Sequence, residues 1–271
     1  MRILLTGATG FVGGYVAAAL AAGNQVAAPA RGAGASLPPG VERLPFSEDL
    51  AGLVAAQRPD VVVNLLGIIS GDFDLVHVEY TRRLLAGAAA VGVKKFVQMS
   101  ALGASESSPS AYQRSKAAAE KLVAASGIPY AIARPSIIAG AGQKLTARLA
   151  AAARWTPVLA APAGLRVAPV PVETVAACFR RLTEDPAAAG IYELAGEREM
   201  SMREYFSESL LDAGLRRLVL PLPRALFLPL VPVFALLPDP PLTLDQYRMM
   251  ASDNVPSGNF PGVKELLGGK P

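Results

Sequence analysis

One cysteine and one histidine in 271 residues set the first limits. Cys178 alone cannot close an internal disulfide, and its Ala-rich setting predicts a packed thiol in a reducing compartment. His77 has too few companions for a metal site; the pattern around it places it on a helix surface. Charged residues make up 18% of the chain and hydrophobic ones 52%, which excludes a disordered polypeptide. The net charge is +4, but Lys and Arg are scattered and form no nucleic-acid-binding stripe. Met1 runs straight into an apolar strand with no leader, which predicts a cytoplasmic protein rather than an exported one.

A membrane-spanning helix is also missing. The one candidate, residues 218–237, is long enough. It carries Pro221, Pro223, Pro229, Pro232 and Arg224, and the prolines remove helix hydrogen bonds that lipid cannot replace. The segment reads first as buried core of a second lobe. Its other reading is an apolar surface edged by Arg216, Arg217 and Arg224, lying against a membrane or a partner.

What the chain does have is glycine in a telling place. Ile3, Leu4 and Leu5 form a short apolar run that turns at Thr6 into Gly7, Gly10 and Gly13, then enters an apolar helical stretch. Strand, glycine loop and helix start come in the order needed to hold a pyrophosphate. Gly10 lets backbone N–H groups approach phosphate, Gly13 lets the helix lie close to the sheet, and the helix N-terminus adds unpaired donors and positive partial charge.

The same alternation continues. Candidate strands fall at 3–5, 25–28, 61–65, 96–99 and 130–133, with helical patterns at 12–22, 49–57, 73–91 and 111–126. This predicts an α/β protein, a Rossmann-type doubly wound parallel sheet. Residues 1–198 form the dinucleotide-binding domain, with a helix at 170–182 and a strand at 191–194. Residues 139–168 show no clear strand and contribute to a smaller substrate-side lobe with the apolar C-terminal stretch 199–271, helical at 200–213.

Ser100, Tyr112 and Lys116 form a second constellation. Tyr112 and Lys116 are four residues apart on a predicted helix and share one face; Ser100 ends a predicted strand, where ligands of such sheets bind. An ammonium beside a phenol favours the phenolate, so the tyrosine's proton affinity is expected to fall toward a range useful for general acid–base work. The lysine would also hold a ribose, and the serine hydroxyl would fix a substrate oxygen.

With these residues the chain resembles the short-chain dehydrogenase/reductase superfamily, of extended or atypical type. Thr6-Gly-Ala-Thr-Gly-Phe-Val-Gly13 is similar to its nucleotide fingerprint, which includes Thr9, Phe11 and Val12, and Tyr112-Gln-Arg-Ser-Lys116 to its catalytic pair. Asp60-Val-Val-Val-Asn-Leu-Leu-Gly67 matches the fourth strand and the loop that passes the adenine ribose, through Leu66 and Gly67. Arg134-Pro-Ser-Ile-Ile-Ala-Gly140, which contains Pro135, resembles the segment that lines the nicotinamide, and 169–175 the stretch that returns to the sheet. The third-strand segment at 41–48 lacks the usual adenine-directed Asp and has Ser47 near that place. A narrower resemblance runs through 97–104, 108–116 and 242–255 to the family of the nucleotide-binding accessory subunit of respiratory complex I and its bacterial relatives, some linked to quinone biosynthesis. It implies tight NADPH holding and a seat at the inner face of the membrane, against complex I subunits or quinone enzymes through 218–237.

Arg31 bears on the cofactor. It follows the second strand, where an acid would accept the ribose 2′-hydroxyl of NAD, and no Asp or Glu occurs from Met1 through Gly40. A guanidinium there suits a 2′-phosphate, so NADP(H) is expected over NAD(H). Two functions stay open: an accessory or assembly component of complex I or quinone metabolism, and a free-standing NADP-dependent oxidoreductase or epimerase acting on a small hydrophobic carbonyl or alcohol.

Overall fold

In the computed structural model, which describes residues 1–32, 34, 36–238 and 240–268, β1 (Arg2–Thr6) runs into α1 (Phe11–Ala21). Alternation continues through β2 (Gln25–Ala30), β3 (Val41–Pro45), α2 (Leu50–Gln57), β4 (Val61–Asn64), α3 (Tyr80–Val91), β5 (Lys95–Met99), α4 (Ala111–Ala124) and β6 (Tyr130–Pro135). The chain then leaves the sheet through β7 (Ile138–Ala139), α5 (Lys144–Ala153), β8 (Val158–Pro162), β9 (Arg166–Val167) and β10 (Val170–Pro171). It returns through α6 (Val172–Glu184) and β11 (Gly190–Leu194). A last excursion comprises β12 (Met200–Ser201), α7 (Met202–Asp212), β13 (Leu218–Leu222), α8 (Leu230–Phe234) and α9 (Leu244–Met249), before α10 (Val263–Leu267).

The central sheet has seven parallel strands in the order β11-β6-β5-β4-β1-β2-β3. Period-2 alternation decides which core each side chain joins. Ile3 and Leu5 of β1 face a cluster with Val16, Leu20 and Phe179 of α1 and α6, whereas Leu4 faces one with Val54, Leu84 and Val123 of α2, α3 and α4. Each large apolar side chain so buried is worth about 1.5–3 kcal/mol. That outweighs the poor helix propensity of Gly13 and Gly14 in α1, at about 1 kcal/mol each.

The segment 139–168, expected to lack strands, contains β8, which pairs in parallel with β13, and β9, which pairs antiparallel with β12. These ribbons pack with α5 and α7 around a separate cluster that includes Leu149, Val167, Tyr205 and Val219. Beyond them α10 comes back to the large sheet, where Leu266 joins the core beside α6.

The core reading of 218–237 fails. Of this stretch only Val219 and Val231 are buried, while Leu218, Leu220, Leu226, Leu228, Leu230, Val233, Leu236 and Leu237 are exposed. Among the described residues, the ribbon has a packed layer on its Val219 face alone. No described helix is long and apolar enough to cross a membrane.

Candidate functional site

Winding reverses at β1: β2 and β3 lie on one side, β4, β5, β6 and β11 on the other. The loops after β1 and β4 therefore part and leave a crevice at their C-terminal ends. Gly7 makes the turn there with φ +78°, and a Cβ on it would meet the Leu65 backbone at 2.9 Å. Gly13 is tighter still, since a Cβ would lie 2.0 Å from the Gly7 carbonyl oxygen. Gly10 caps α1 without a side chain, its N–H donating to the Gly7 carbonyl at 3.0 Å, and no acid stands in the helix's first turn. The first backbone N–H groups of α1 are thus left for an anion. Thr9 and Gly10 are exposed at this mouth, whereas Val12 and Gly13 are buried. Phe11 packs its ring edge-on to Tyr15 and under the 140–142 loop, so its backbone rather than its ring belongs to the cradle.

Thr6 faces inward. Its hydroxyl donates to Asn64 Oδ1 at 2.7 Å; Asn64 Nδ2 donates to Gln98 Oε1 at 2.9 Å and to Thr81 Oγ1 at 3.1 Å; and Leu66 N–H donates to Asn64 Oδ1 at 3.2 Å. This buried network ties β1, β4, β5 and α3 and fixes the path of Leu66 and Gly67. Thr6 therefore shapes the crevice with its side chain and leaves no hydroxyl for a ligand.

The second constellation converges on the same crevice. Lys116 Nζ donates to the Leu66 carbonyl at 3.5 Å and the Met99 carbonyl at 3.3 Å, and stands 3.2 Å from where a Gly67 Cβ would be. Ser100, next to Met99, is anchored by its N–H to the Ala133 carbonyl at 2.7 Å, and its buried Oγ has no partner. Pro135 is buried alongside, its carbonyl taking the N–H of Leu102 at 2.9 Å. An orphaned buried hydroxyl beside a glycine cradle is what an incoming polar ligand would satisfy.

Proton affinities differ from the sequence-based expectation. Burial pushes the Tyr112 hydroxyl up to about 12 and the Lys116 ammonium down to about 8, the latter partly offset by Glu120. Lys116 Nζ lies 5.9 Å from the Tyr112 ring centroid and spends its donors on carbonyls, so it does not favour the phenolate. Desolvation wins over charge proximity here.

The histidine does not lie on a helix surface, where the sequence pattern places it. His77 is buried, stacked on Phe73 at 5.6 Å and edge-on to Tyr112 at 5.5 Å. A wide π-type turn, Asp74–Glu79, shifts the register that a regular helix would have had and turns His77 inward. Its Nε2 accepts from Ile68 N–H at 3.1 Å, so Nδ1 carries the proton and donates to Ser115 Oγ at 2.8 Å, which donates in turn to the Tyr112 carbonyl at 2.8 Å. Burial, aided by the charge of Lys116, lowers its pKa to about 3.

The C-terminal segment supports the site in a way that sequence reasoning misses. Asp245 takes Ser110 Oγ–H at 2.7 Å and the N–H groups of Ala111 and Tyr112 at 2.7 and 3.2 Å. Asn254 Oδ1 takes Ser136 Oγ–H at 2.7 Å and Ile137 N–H at 3.0 Å. Both lie in the 242–255 stretch, whose pattern is the available signal. Arg31 sits apart, exposed at the end of β2, its guanidinium 4.2 Å from the Phe46 ring centroid; nearby Arg43 Nη1 donates to the Gly32 carbonyl at 3.1 Å. Ser47 Oγ takes Asp49 N–H at 3.1 Å, in the turn that opens α2.

Strand order, glycine cradle and crevice define a Rossmann protein built for a nicotinamide dinucleotide. A model of the NAD dependent epimerase/dehydratase family matches residues 3–159, and the chain belongs to that family. Among curated proteins it is similar to NADH dehydrogenase (ubiquinone) 1 alpha subcomplex subunit 9, mitochondrial, of Arabidopsis thaliana, 35% identical over 159 residues (51% of this chain, 39% of that protein). The Mus musculus protein of the same name is 28% identical over 222 residues, 78% of this chain and 58% of that one. The chain spans 39–60% of the length of these relatives and of the one from Dictyostelium discoideum. Of solved structures, UDP-glucose 4-epimerase of Thermus thermophilus in complex with NAD superposes with a TM-score of 0.68 at 23% identity, covering 82% of this chain and 86% of that one. The Bordetella bronchiseptica enzyme WbmH in complex with NAD+ does so at 0.69 and 16%, covering 82% and 85%. These likenesses show the fold.

Proposed function

We propose that the protein is an NADP(H)-holding accessory or assembly component of respiratory complex I or of quinone metabolism, working at the inner face of the membrane. The observation that carries this is an intact dinucleotide cradle joined to a tyrosine that burial keeps protonated, with its pKa pushed up to about 12. A tyrosine held protonated is a poor general base near neutral pH. The similarity to complex I subunits of three organisms supports the same direction.

The residues present fit the cofactor. The N–H groups at the start of α1, behind Thr9 and Gly10, would take the pyrophosphate, and Leu66 and Gly67 would pass the adenine ribose. Arg31 would meet a 2′-phosphate, and Lys116 with Tyr112 would hold the nicotinamide ribose. A bound nicotinamide can accept or give hydride. Ser100 would direct its free hydroxyl at the carboxamide or at a substrate oxygen.

That free hydroxyl favours the second reading, a free-standing NADP-dependent oxidoreductase or epimerase on a small hydrophobic carbonyl or alcohol. Native size in mildly solubilised cells decides between them. Co-migration with a large membrane assembly, with NADPH recovered from it, supports the accessory role. Migration as a small species, with turnover abolished by Tyr112→Phe and NADPH affinity kept, supports the enzyme.

A further inference from the structure

The β8–β13 ribbon is parallel, with Leu218 opposite Val158 and Leu220 opposite Ala160. Alternation sends Val219 inward to the α5–α7 core and leaves Leu218, Leu220 and Val158 on the outer face, all exposed. Because the strands are parallel, the residues that lead into them lie at one end of the ribbon: Arg154 and Trp155 before β8, Arg216 and Arg217 before β13. The hydrogen bond from Leu218 N–H to the Pro157 carbonyl, 3.1 Å, fixes that register. Trp155, the chain's single tryptophan, is 92% exposed. From β13 the apolar exposure continues along the chain to Leu236, at 84%, and Leu237.

Charge tells what covers this face. No Asp or Glu occurs from 139 through 168 or from 213 through 238, whereas Lys144, Arg154, Arg216, Arg217 and Arg224 do. The acids of α7 belong to the helix packed on the ribbon's inner face. An aromatic ring at the edge of exposed leucines, with Arg154, Arg216 and Arg217 at the same end of the ribbon, is the chemistry of a headgroup boundary.

We propose that the outer face of the β8–β13 ribbon, with Trp155 and the 224–237 turns, docks on the surface of a bilayer that contains anionic lipids. This deepens the accessory reading by naming what 218–237 meets. Its test reads neither nucleotide nor turnover, so the two can fail separately.

Trp155 is its own reporter. The full chain is titrated with protein-free vesicles of phosphatidylcholine alone and of phosphatidylcholine with phosphatidylglycerol, following tryptophan emission and sedimentation. Expected is a blue shift and binding at least about tenfold tighter to the anionic vesicles, weakening as salt rises. Leu220→Glu with Leu236→Glu should cut that binding at least about tenfold, since charge is costly at the boundary, and Arg216→Glu should remove the preference for anionic lipid. Thermal midpoints must stay unchanged, which separates lost docking from lost folding. Any of four results would overturn the proposal: equal binding to both vesicles; no shift with either; a shift that grows with protein concentration without lipid, which means a second copy; and a shift that appears only when membrane proteins are added.

Discussion

Asp245 accepts the backbone N–H of Ala111 at 2.7 Å, so a residue of the C-terminal excursion caps the helix that carries Tyr112 and Lys116. Its other oxygen takes the Ser110 hydroxyl and the Tyr112 N–H. Ser110 in turn accepts from Gln113 N–H at 3.3 Å, so two side chains satisfy the start of α4 together. Asp245→Ala should cost about 2 kcal/mol. Asp245→Asn, which keeps an acceptor, should cost less. Urea midpoints measure the loss, and faster amide exchange in the first turn of α4 locates it; an unchanged midpoint in Asp245→Ala would count against this cap.

Neighbouring glycines in α1 should behave in opposite ways. A Cβ at Gly13 collides with the Gly7 carbonyl, whereas one at Gly14 meets nothing within 4 Å. Gly13→Ala should push α1 off the loop and abolish dinucleotide binding. Gly14→Ala should bind normally and gain about 0.5–1 kcal/mol of stability, through lost freedom in the unfolded chain. Calorimetric titration and thermal melting of the pair test both halves.

His77 makes stability depend on acid. Its folded pKa is about 3 against an ordinary 6.5, so between those values the unfolded chain binds the proton and the folded one does not. Stability contributed by the neutral ring is complete above about pH 6.5 and is lost as pH falls toward 3. Between pH 7 and pH 5 that amounts to about 2 kcal/mol. As the chain has one histidine, His77→Gln should flatten this part of the profile. An equal slope in both proteins would assign the loss to carboxylates instead.

Arg31 should discriminate between cofactors. Arg31→Ala is expected to weaken NADPH binding about tenfold, the scale of one charge-assisted hydrogen bond, while NADH binding barely changes. Equal losses for both would mean that Arg31 serves only its contact with Phe46.

Where the sequence is legible, the signal is local. The glycine loop, the apolar runs of β1, β4 and β5, and the Tyr112–Lys116 spacing each depend on residues within a turn or two of one another. The failures share the opposite cause. His77 is turned inward by a π-type turn that periodicity assumes away. β8 is recognisable only beside β13, about sixty residues later in the chain. The exposure of 218–237 depends on no layer of the described residues lying outside the ribbon, which hydrophobicity cannot reveal, because a buried strand and an exposed apolar one are spelled alike. Tyr112 shows the same limit in energy: its partner is legible, its desolvation is not.

The return of the chain to its first layer sets an order of events. Leu266 fills the core beside α6, Pro261 gives its carbonyl to Glu193 N–H at 3.0 Å, and Ser257 binds the buried Glu193 carboxylate with both N–H and hydroxyl. A nascent chain that has completed its seven-stranded sheet at Leu194 therefore still exposes apolar surface on α6 and a β11 carboxylate without its Ser257 hydrogen bonds. Those gaps close only when about seventy further residues have left the ribosome. Through that interval the nucleotide half is an unfinished surface, and the apolar 218–237 stretch leaves the ribosome before Ser257, Pro261 and Leu266 complete β11 and α6.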